Sequence, residues 1–380
     1  MLRKTVLSFF RRVKFLFSLL VIPRLFLFTS WLRIVLRCVT VIHPDSSYRI
    51  YGKDGKTNKK SFLGVKAEGF SPNIQTLYNL SILSWENNNV RFVGRLSNYR
   101  MYRMMDIDKL KNSSTVFTFN TKNSSMNQVN ELFLLNKAAF NLISVEDCRV
   151  IECANEKFLL GNVRYDCTPN KVRPILFHIC EKHDSVDVVN FWIIGEELVE
   201  KPPPFALKEK NWTAISSIDG DYIDFIKSHE KGEVLRFHLQ EKRFENLGLT
   251  LSNQADGIGR SVPIRIPSQP LNVKIGGESF LFSIGHIKLG FDLKTRYGLQ
   301  DSYLIHGVLL SSVPPYSVMK ISKPISFGVF ESFCYPFQLQ RVNADCSQVS
   351  ISLNIGDSFN KIVVCNLDRL LQTMFPELSR

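Results

Sequence analysis

Short apolar segments alternate with polar turns along the chain from residue 70 onward, and long amphipathic helices are few. This alternation is typical of strands rather than helices. Five strand-like segments of similar hydrophobic character recur, and their first residues lie 67, 64, 57 and 70 positions apart. They are residues 90–97, 157–164, 221–227, 278–285 and 348–355. The body of the protein is therefore expected to be mainly β, built from units of roughly sixty residues.

A unit of this size accommodates one four-stranded antiparallel sheet with its loops. Turn signals precede three of the segments, at residues 154–156, 219–220 and 276–277. Five such sheets arranged radially predict an all-β, five-bladed β-propeller over residues 70–376, in which the innermost strand of each blade lines a central funnel. A pair of β-sandwiches is the alternative architecture.

Positive charge is concentrated at the N-terminus. The chain carries 48 Lys and Arg against 35 Asp and Glu, and eight of the thirteen net charges lie in residues 1–44, which contain no acid. The rest of the chain is only mildly basic, which argues against a nucleic-acid-binding surface. The eight residues are Arg3, Lys4, Arg11, Arg12, Lys14, Arg24, Arg33 and Arg37.

The same segment is unusually apolar. Its Leu- and Phe-rich runs are each closed by an arginine, and Arg24 beside Pro23 interrupts what would otherwise be a spanning stretch. We expect residues 1–44 to form a basic, apolar helical extension that lies on an anionic membrane surface, followed by a linker over residues 45–69. Docking on the protein's own core and a true membrane anchor are the alternatives.

The eight cysteines are scattered, without C-x-x-C spacing or histidines at zinc-site distances. They are expected to be reduced core residues of a cytoplasmic protein that is peripheral at the membrane. Two Asp-x-Asp sequences, beginning at Asp106 and Asp219, are better explained as turn or loop residues than as a metal–nucleotide site. Neither a metal site nor a cofactor is predicted.

Polar clusters fall just before or within the predicted inner strands, about one in each blade. Residues on inner strands converge on the mouth of a propeller funnel although they lie far apart in sequence. A site built from several blades is therefore expected at the centre. The clusters occupy residues 146–149, 208–212, 259–263, 283–286, and 335–336 with 354–357.

In chain order the clusters give Glu-Asp-x-Arg, Lys-Asn-Trp, Gly-x-Ser-x-Pro, an apolar strand ending in His, and a final strand ending in Gly-Asp. Together with residues 303–310, which precede Pro314-Pro315, this ordered set resembles the five-bladed propellers of the β-mannoside phosphorylases and related mannosyltransferases, over about residues 75–375. The resemblance implies that Asp147 of the first motif is a general acid and that basic and polar side chains hold phosphate or the sugar. Two positions depart from the family: Cys148 replaces the usual Pro, and Asn-Ile-Gly-Asp replaces the usual Tyr-Gly-x-x-Asp.

Glycosyl transfer needs a proton donor at the leaving oxygen, and Asp147 is the catalytic candidate. Arg149 is expected on the same strand face as Asp147, where its guanidinium group could bind an anion such as phosphate with two hydrogen bonds. Phosphorolysis replaces the second carboxylate of a hydrolase with bound phosphate, so a basic pocket fits that chemistry. The substrate- or phosphate-binding candidates are Arg149, Lys210, Asn211, Arg260, His286 and Asp357.

Structural roles compete with these assignments. Asp147 and Arg149 could form an ion pair at a blade entrance. Asn211 could fix a loop, and Trp212 fits either the core or a sugar-stacking platform. His286 could be a satisfied core histidine. Asp357 could close the ring through hydrogen bonds within loops.

The predicted function is that of a carbohydrate-active enzyme that makes or breaks a glycosidic bond, as a phosphorylase or a glycosyltransferase. The expected partners are a sugar or glycan, phosphate or a sugar-phosphate or nucleotide-sugar donor, and an anionic membrane surface. Nucleic acid is not an expected partner. The alternatives are a catalytically inactive, membrane-tethered propeller that binds glycan or protein, and a membrane-scaffolding protein.

Overall fold

The computed structural model describes thirteen stretches of the chain, beginning at residue 39. They are residues 39–51, 76–97, 112–132, 142–165, 172–194, 212–217, 219–226, 234–248, 264–289, 302–327, 334–342, 347–355 and 359–378.

Four antiparallel sheets have the four-stranded form predicted for a blade, and we number these blades 1 to 4 in chain order. Blade 1 contains β3 (Thr76–Glu86), β4 (Asn89–Ser97), β5 (Asn112–Asn120) and β6 (Met126–Glu131). Blade 2 contains β7 (Leu142–Cys153), β8 (Glu156–Tyr165), β9 (Val172–Glu181) and β10 (Val186–Ile193). Blade 3 contains β11 (Thr213–Ser216), β12 (Tyr222–Ile226), β13 (Val234–His238) and β14 (Arg243–Asn246). Blade 4 contains β21 (Cys334–Arg341), β22 (Gln348–Ile355), β23 (Phe359–Asn366) and the N-terminal β2 (Ser46–Tyr51).

A seven-stranded sheet lies between blades 3 and 4. Its long strands β17 (Glu278–Leu289) and β18 (Ser302–Ser311) pair with each other. Two short strands, β15 (Ile264–Arg265) and β16 (Leu271–Ile275), share the free side of β17. Two more short strands, β19 (Val318–Ile321) and β20 (Ile325–Ser326), pair with the free side of β18. The N-terminal β1 (Thr40–Val41) pairs with β20. The prediction of five four-stranded blades is therefore wrong in its count: the described residues form four such blades and one larger, interrupted sheet.

Five apolar cores join the sheets into a closed ring. Each core combines buried side chains of two neighbouring sheets, as sheet faces that bury apolar area must. The ring confirms the predicted all-β propeller and excludes two separate sandwiches. Representative members of the five cores are Leu83 with Leu159, Phe158 with Phe225, Ile226 with Leu281, Phe282 with Ile351, and Ile362 with Leu77.

All five segments predicted from the period are strands, namely β4, β8, β12, β17 and β22. In the four blades the innermost strands are β3, β7, β11 and β21, which contact one another around the centre. Each of the five predicted segments is instead the second strand of its sheet, counted from the centre. The assumption that the recurring segments are inner strands is therefore wrong. A strand paired on both sides and covered on both faces is the most apolar strand of a sheet, so the hydrophobic period detects it first.

Two of the three predicted turns are confirmed as tight hairpins. Ala154 and Asn155 join β7 to β8 with φ of 52° and 63°, and Gly276 and Gly277 join β16 to β17 with φ of 60° and 88°. Two consecutive residues of positive φ match the twist of the flanking strands.

The N-terminal expectations are corrected where the structure describes them. Residues 1–38 of the predicted helical extension lie outside the described residues, and the part that is described includes the extended β1 rather than helix. Residues 46–51, assigned above to a linker, form β2, which pairs with β23 and joins the two ends of the ring. No helix among the described residues is long and apolar enough to cross a membrane.

The described residues end in one short helix, α1 (Leu367–Met374), and a 3-10 turn (Pro376–Leu378). Asn366 caps α1 by accepting a 3.0 Å hydrogen bond from the Arg369 amide. The buried face of α1 packs on the core shared by blade 4 and the seven-stranded sheet.

Candidate functional site

Asp147 and Asn79 occupy equivalent bulges on neighbouring inner strands. Asp147 and the residue after it lie opposite Gly161 of β8, and Asn79 and its successor lie opposite Gly94 of β4. Both have left-handed backbone, with φ of 57° and 56°. Side chains other than Gly rarely adopt this conformation, although Asp and Asn tolerate it best, and such residues cluster at functional sites.

The glycines opposite the two bulges are required by close approach. A Cβ on Gly94 would lie 2.6 Å from Leu80, and one on Gly161 would lie 3.0 Å from the Cys148 sulfur. Leu80 and Cys148 are the residues that follow Asn79 and Asp147, so each bulge drives its second side chain into the space above a glycine. Cys148 therefore fills the space above Gly161.

Burial raises the pKa of the Cys148 thiol to about 12, with a hydrogen bond to Ser114 acting in the opposite direction. The thiol is therefore neutral and serves as a packing group, as predicted for reduced core cysteines.

The Asp147 carboxylate is held by two donors from blade 1. Asn79 Nδ2 donates to Asp147 Oδ1 at 2.6 Å, and Arg95 Nη1 donates to the same oxygen at 3.1 Å. The same Arg95 nitrogen lies 3.1 Å from Glu146 Oε2, so one guanidinium faces two adjacent carboxylates. Asp147 retains 9% exposure, whereas Glu146 retains only 1%. Asp147 is thus the member of the pair closer to solvent.

Blade 4 completes the polar centre from the opposite direction. The Tyr335 hydroxyl donates to Asn79 Oδ1 at 2.8 Å, and Asn354 Nδ2 donates to the same oxygen at 2.6 Å. Asn354 Nδ2 also lies 2.8 Å from the Tyr335 oxygen. A continuous hydrogen-bonded chain therefore connects blade 4 through Asn79 to Asp147 on blade 2.

Arg149 lies beside this chain and is buried. Its Nη1 donates to the Trp212 carbonyl of blade 3 at 3.1 Å, and its guanidinium carbon lies 5.3 Å from the centre of the Phe337 ring. Desolvation by burial lowers the pKa of Arg149, whereas the charge of Asp147 and the Tyr335 group raise it. Arg149 nevertheless remains a cation at any physiological pH.

His286 reaches the same centre through an aromatic cluster. Its ring lies 5.5 Å from that of Tyr335 and 5.1 Å from that of Tyr303, and the two tyrosine rings are 5.5 Å apart. His286 is 5% exposed. It lies on β17, which is paired on both sides, and not on the innermost strand of its sheet as expected.

The structure therefore brings three of the seven predicted site residues, Asp147, Arg149 and His286, to one place around Tyr335. The other four lie outside the described residues: Lys210, Asn211, Arg260 and Asp357. Trp212 is a buried core residue rather than a sugar-stacking platform, and its carbonyl is the group that contacts Arg149.

Asn79 and Arg95 were missed by sequence reasoning. Asn79 begins an Asn-x-Ser sequence, which on its own indicates an exposed residue, but it is 4% exposed and its amide is used internally. The signal that could have found it is the equivalence of the bulges: a polar residue in an apolar strand, then an apolar residue, with a glycine in the next strand.

No group of three or more His, Cys, Asp or Glu side chains in the described part of the chain is arranged to hold a metal. Asp219 and Asp221 flank Gly220, whose φ is 79°, in the connection between β11 and β12, as expected of a turn. Asp106 and Asp108 lie outside the described residues.

No family model matches the sequence and no curated protein gives a significant match. Among solved structures, the fold is similar to a β-1,2-mannobiose phosphorylase from Listeria innocua, with a TM-score of 0.53 at 11% identity, over 87% of this chain and 99% of that one. A GDP-Man-dependent mannosyltransferase from Leishmania mexicana gives 0.47 at 12% identity, over 89% and 94%. A mannose phosphorylase from the same organism gives 0.46 at 13% identity, over 81% and 87%. The resemblance expected from the motif order is confirmed at the level of the fold.

Proposed function

We propose that the protein is a carbohydrate-active propeller enzyme that makes or breaks a glycosidic bond, of the phosphorylase or glycosyltransferase type. The observation that carries the proposal is the placement of Asp147. It is the more exposed carboxyl of the central cluster, lies on a left-handed bulge, and is bonded by two blade 1 side chains, one of which, Asn79, is held by blade 4. Fold alone does not specify an activity, so the argument rests on these groups.

In this proposal Asp147 is the general acid that protonates the leaving oxygen. Burial disfavours its charged form, whereas Arg95 and Asn79 favour it. Two arginines and two carboxylates are close together, because Arg149 interacts with Asp147 and Arg95 contacts both acids. An anion bound at Arg149 would neutralise one cation, and the remaining excess of negative charge would favour a proton on Asp147.

Phosphate, a sugar phosphate or the diphosphate of a nucleotide sugar would supply that anion. Arg149 would contribute a cation from the inner strand β7, and Lys210 and Arg260 are proposed to add charge from outside the described residues. His286 would line the same pocket beside Tyr303 and Tyr335.

The proposal is tested by incubating the purified full-length chain with a panel of sugar 1-phosphates and nucleotide sugars, each with several acceptor sugars. Release of inorganic phosphate or nucleotide is expected with at least one donor. The full chain is required because β1 pairs with β20, so a fragment starting at residue 45 would lose a strand. Release at the same rate by an Asp147→Asn variant would contradict the proposal.

Replacement of Arg149 by alanine is expected to weaken the anionic substrate more than it slows turnover. Loss of one charge-assisted contact of ~1.5–3 kcal/mol corresponds to roughly a 10- to 150-fold rise in KM. Steady-state kinetics on the active donor measure this effect. Arg243→Ala is the matched control, since Arg243 is an exposed arginine on the outer strand β14. Equal effects of the two substitutions on KM would remove Arg149 from the anion site.

A catalytically inactive binding propeller is the second candidate. It is favoured by the two donors on Asp147 Oδ1, since an arginine and an amide stabilise a charged carboxylate that does not give up a proton. A binding module would retain a glycan or protein ligand when Asp147 is changed to Asn, and it would show no turnover on the panel.

We further propose that residues 1–44, which carry eight of the net positive charges, attach the protein to the membrane surface without spanning the membrane. Full-length protein should sediment with vesicles containing anionic lipid and be released in part by salt, because exposed charges are screened within about 10 Å at 0.1 M salt. A full-length variant with Arg11, Arg12 and Lys14 changed to Gln should bind less. Resistance to both salt and alkaline carbonate would instead indicate a spanning anchor.

A further inference from the structure

The Asn79 amide has its orientation fixed by its neighbours. Its oxygen receives two hydrogen bonds, from the Tyr335 hydroxyl at 2.8 Å and from Asn354 Nδ2 at 2.6 Å. An amide oxygen accepts and an amide nitrogen donates, so a flipped Asn79 would set its NH2 against the donor Asn354 Nδ2 and its oxygen against the Asp147 carboxylate. The orientation that satisfies blade 4 is therefore the one that points the NH2 group at Asp147.

The backbone supports the same arrangement. Asn79 and Asp147 are the first residues of two equivalent bulges on strands that contact each other, and both are left-handed. Their side chains meet at 2.6 Å although the residues are 68 positions apart. A substitution at one bulge therefore changes a direct contact of the other.

We infer that Asn79 is the positioning residue for Asp147, and that Tyr335 and Asn354 hold it in its donor orientation. The inference rests on the proposed role of Asp147. Asn79 and Arg95 both donate to Asp147 Oδ1, so that oxygen keeps the acceptor role. A proton that Asp147 transfers is therefore carried by Oδ2, which assigns the two oxygens different functions.

The first test replaces the donor with an acid of the same size, Asn79→Asp. Two carboxyls would then share the position now held by an amide–carboxylate hydrogen bond, and like charges raise one of the two pKa values. A carboxyl with a raised pKa in the folded state stabilises the fold at low pH and loses that stabilisation as the pH rises. Relative to wild type, the Tm of Asn79→Asp should fall by at least about 2 °C between pH 5.5 and pH 8.

Other charged and titratable groups around the pair are shared by all variants. They are Arg95 on β4, Glu146 and Arg149 on β7, Tyr335 on β21, and His286 on β17 behind Tyr335. Their own titration is present in wild type as well, so the comparison isolates what the new carboxyl adds, including any shift that it causes in these groups. The double variant Asn79→Asp/Asp147→Asn has a single carboxyl at the pair, so its pH dependence should return to that of wild type.

Asn366→Asp is the control. Asn366 lies at the end of β23 and accepts a hydrogen bond from the Arg369 amide as the cap of α1, a position that favours a carboxylate. It should not reproduce the pH-dependent fall. Persistence of the full effect of Asn79→Asp in the Asp147→Asn background would overturn the inference, because the new carboxyl would then be responding to another group.

A kinetic test separates positioning from packing. Tyr335→Phe removes one of the two donors to the Asn79 oxygen and leaves the ring in place. With any active donor from the panel, kcat should fall roughly tenfold with KM little changed, as for loss of alignment of a reacting group. An unchanged kcat would overturn the role of Tyr335. If the panel shows no turnover but the Tm results hold, the Asn79–Asp147 contact stands and the proposed enzyme function fails.

Discussion

Turnover of the Asp147→Asn variant is expected to fall by about 10²–10⁴, the range that a general acid contributes to the rate. Asparagine has the shape of aspartate, and its amide oxygen can still accept from Asn79 and Arg95, so the bulge and its hydrogen bonds should persist. The variant loses the transferable proton and the negative charge that faces Arg95. Initial rates with an active donor measure the effect, and circular dichroism and Tm verify the fold.

Asp187→Asn provides the control for this prediction. Asp187 is an exposed carboxylate on the outer strand β10, where it pairs with Lys182 at 2.6 Å. Its loss should leave the rate unchanged. A variant at Asp147 with normal turnover would show that the carboxyl is not the proton donor. A normal rate together with a lowered Tm would assign Asp147 a structural ion-pair role instead.

The repeated strands could be predicted because their environment is uniform. β4, β8, β12, β17 and β22 each lie between two partner strands under apolar cover, so each has the same hydrophobic signature. The seven-stranded sheet could not be predicted in the same way. β15 and β20 are two residues long, and strands that short carry no alternation that a sequence pattern could detect.

The centre of the site was predictable only in part for a related reason. Asp147 and Arg149 lie two positions apart in sequence and belong to a recognisable motif. Asn79 acquires its role from contacts with Asp147, Tyr335 and Asn354, which are 68, 256 and 275 positions away. Such contacts depend on which strand neighbours which in the ring. A single sequence specifies the strands better than it specifies their neighbours.

Arg236→Ala is expected to destabilise the protein by roughly 3 kcal/mol, a large fraction of the stability of a typical domain. Asp224 on β12 is fully buried, and Arg236 on β13 binds it with two hydrogen bonds of 2.8 Å. Tyr316, from the connection between β18 and β19, donates to the same carboxylate at 2.6 Å. Without Arg236 the carboxylate keeps the tyrosine but loses its counter-charge. Urea unfolding followed by circular dichroism measures the change.

Two further variants separate the loss of a counter-charge from the loss of side-chain packing. Arg243→Ala on the adjacent strand β14 breaks an exposed pair with Glu241 and should cost no more than about 1 kcal/mol. Replacing the whole network with apolar groups, Asp224→Leu/Arg236→Met/Tyr316→Phe, should recover most of the stability, because no buried charge then lacks a partner. A triple variant as unstable as Arg236→Ala would show that the network stabilises the interface between blade 3 and the seven-stranded sheet by its geometry rather than by charge compensation.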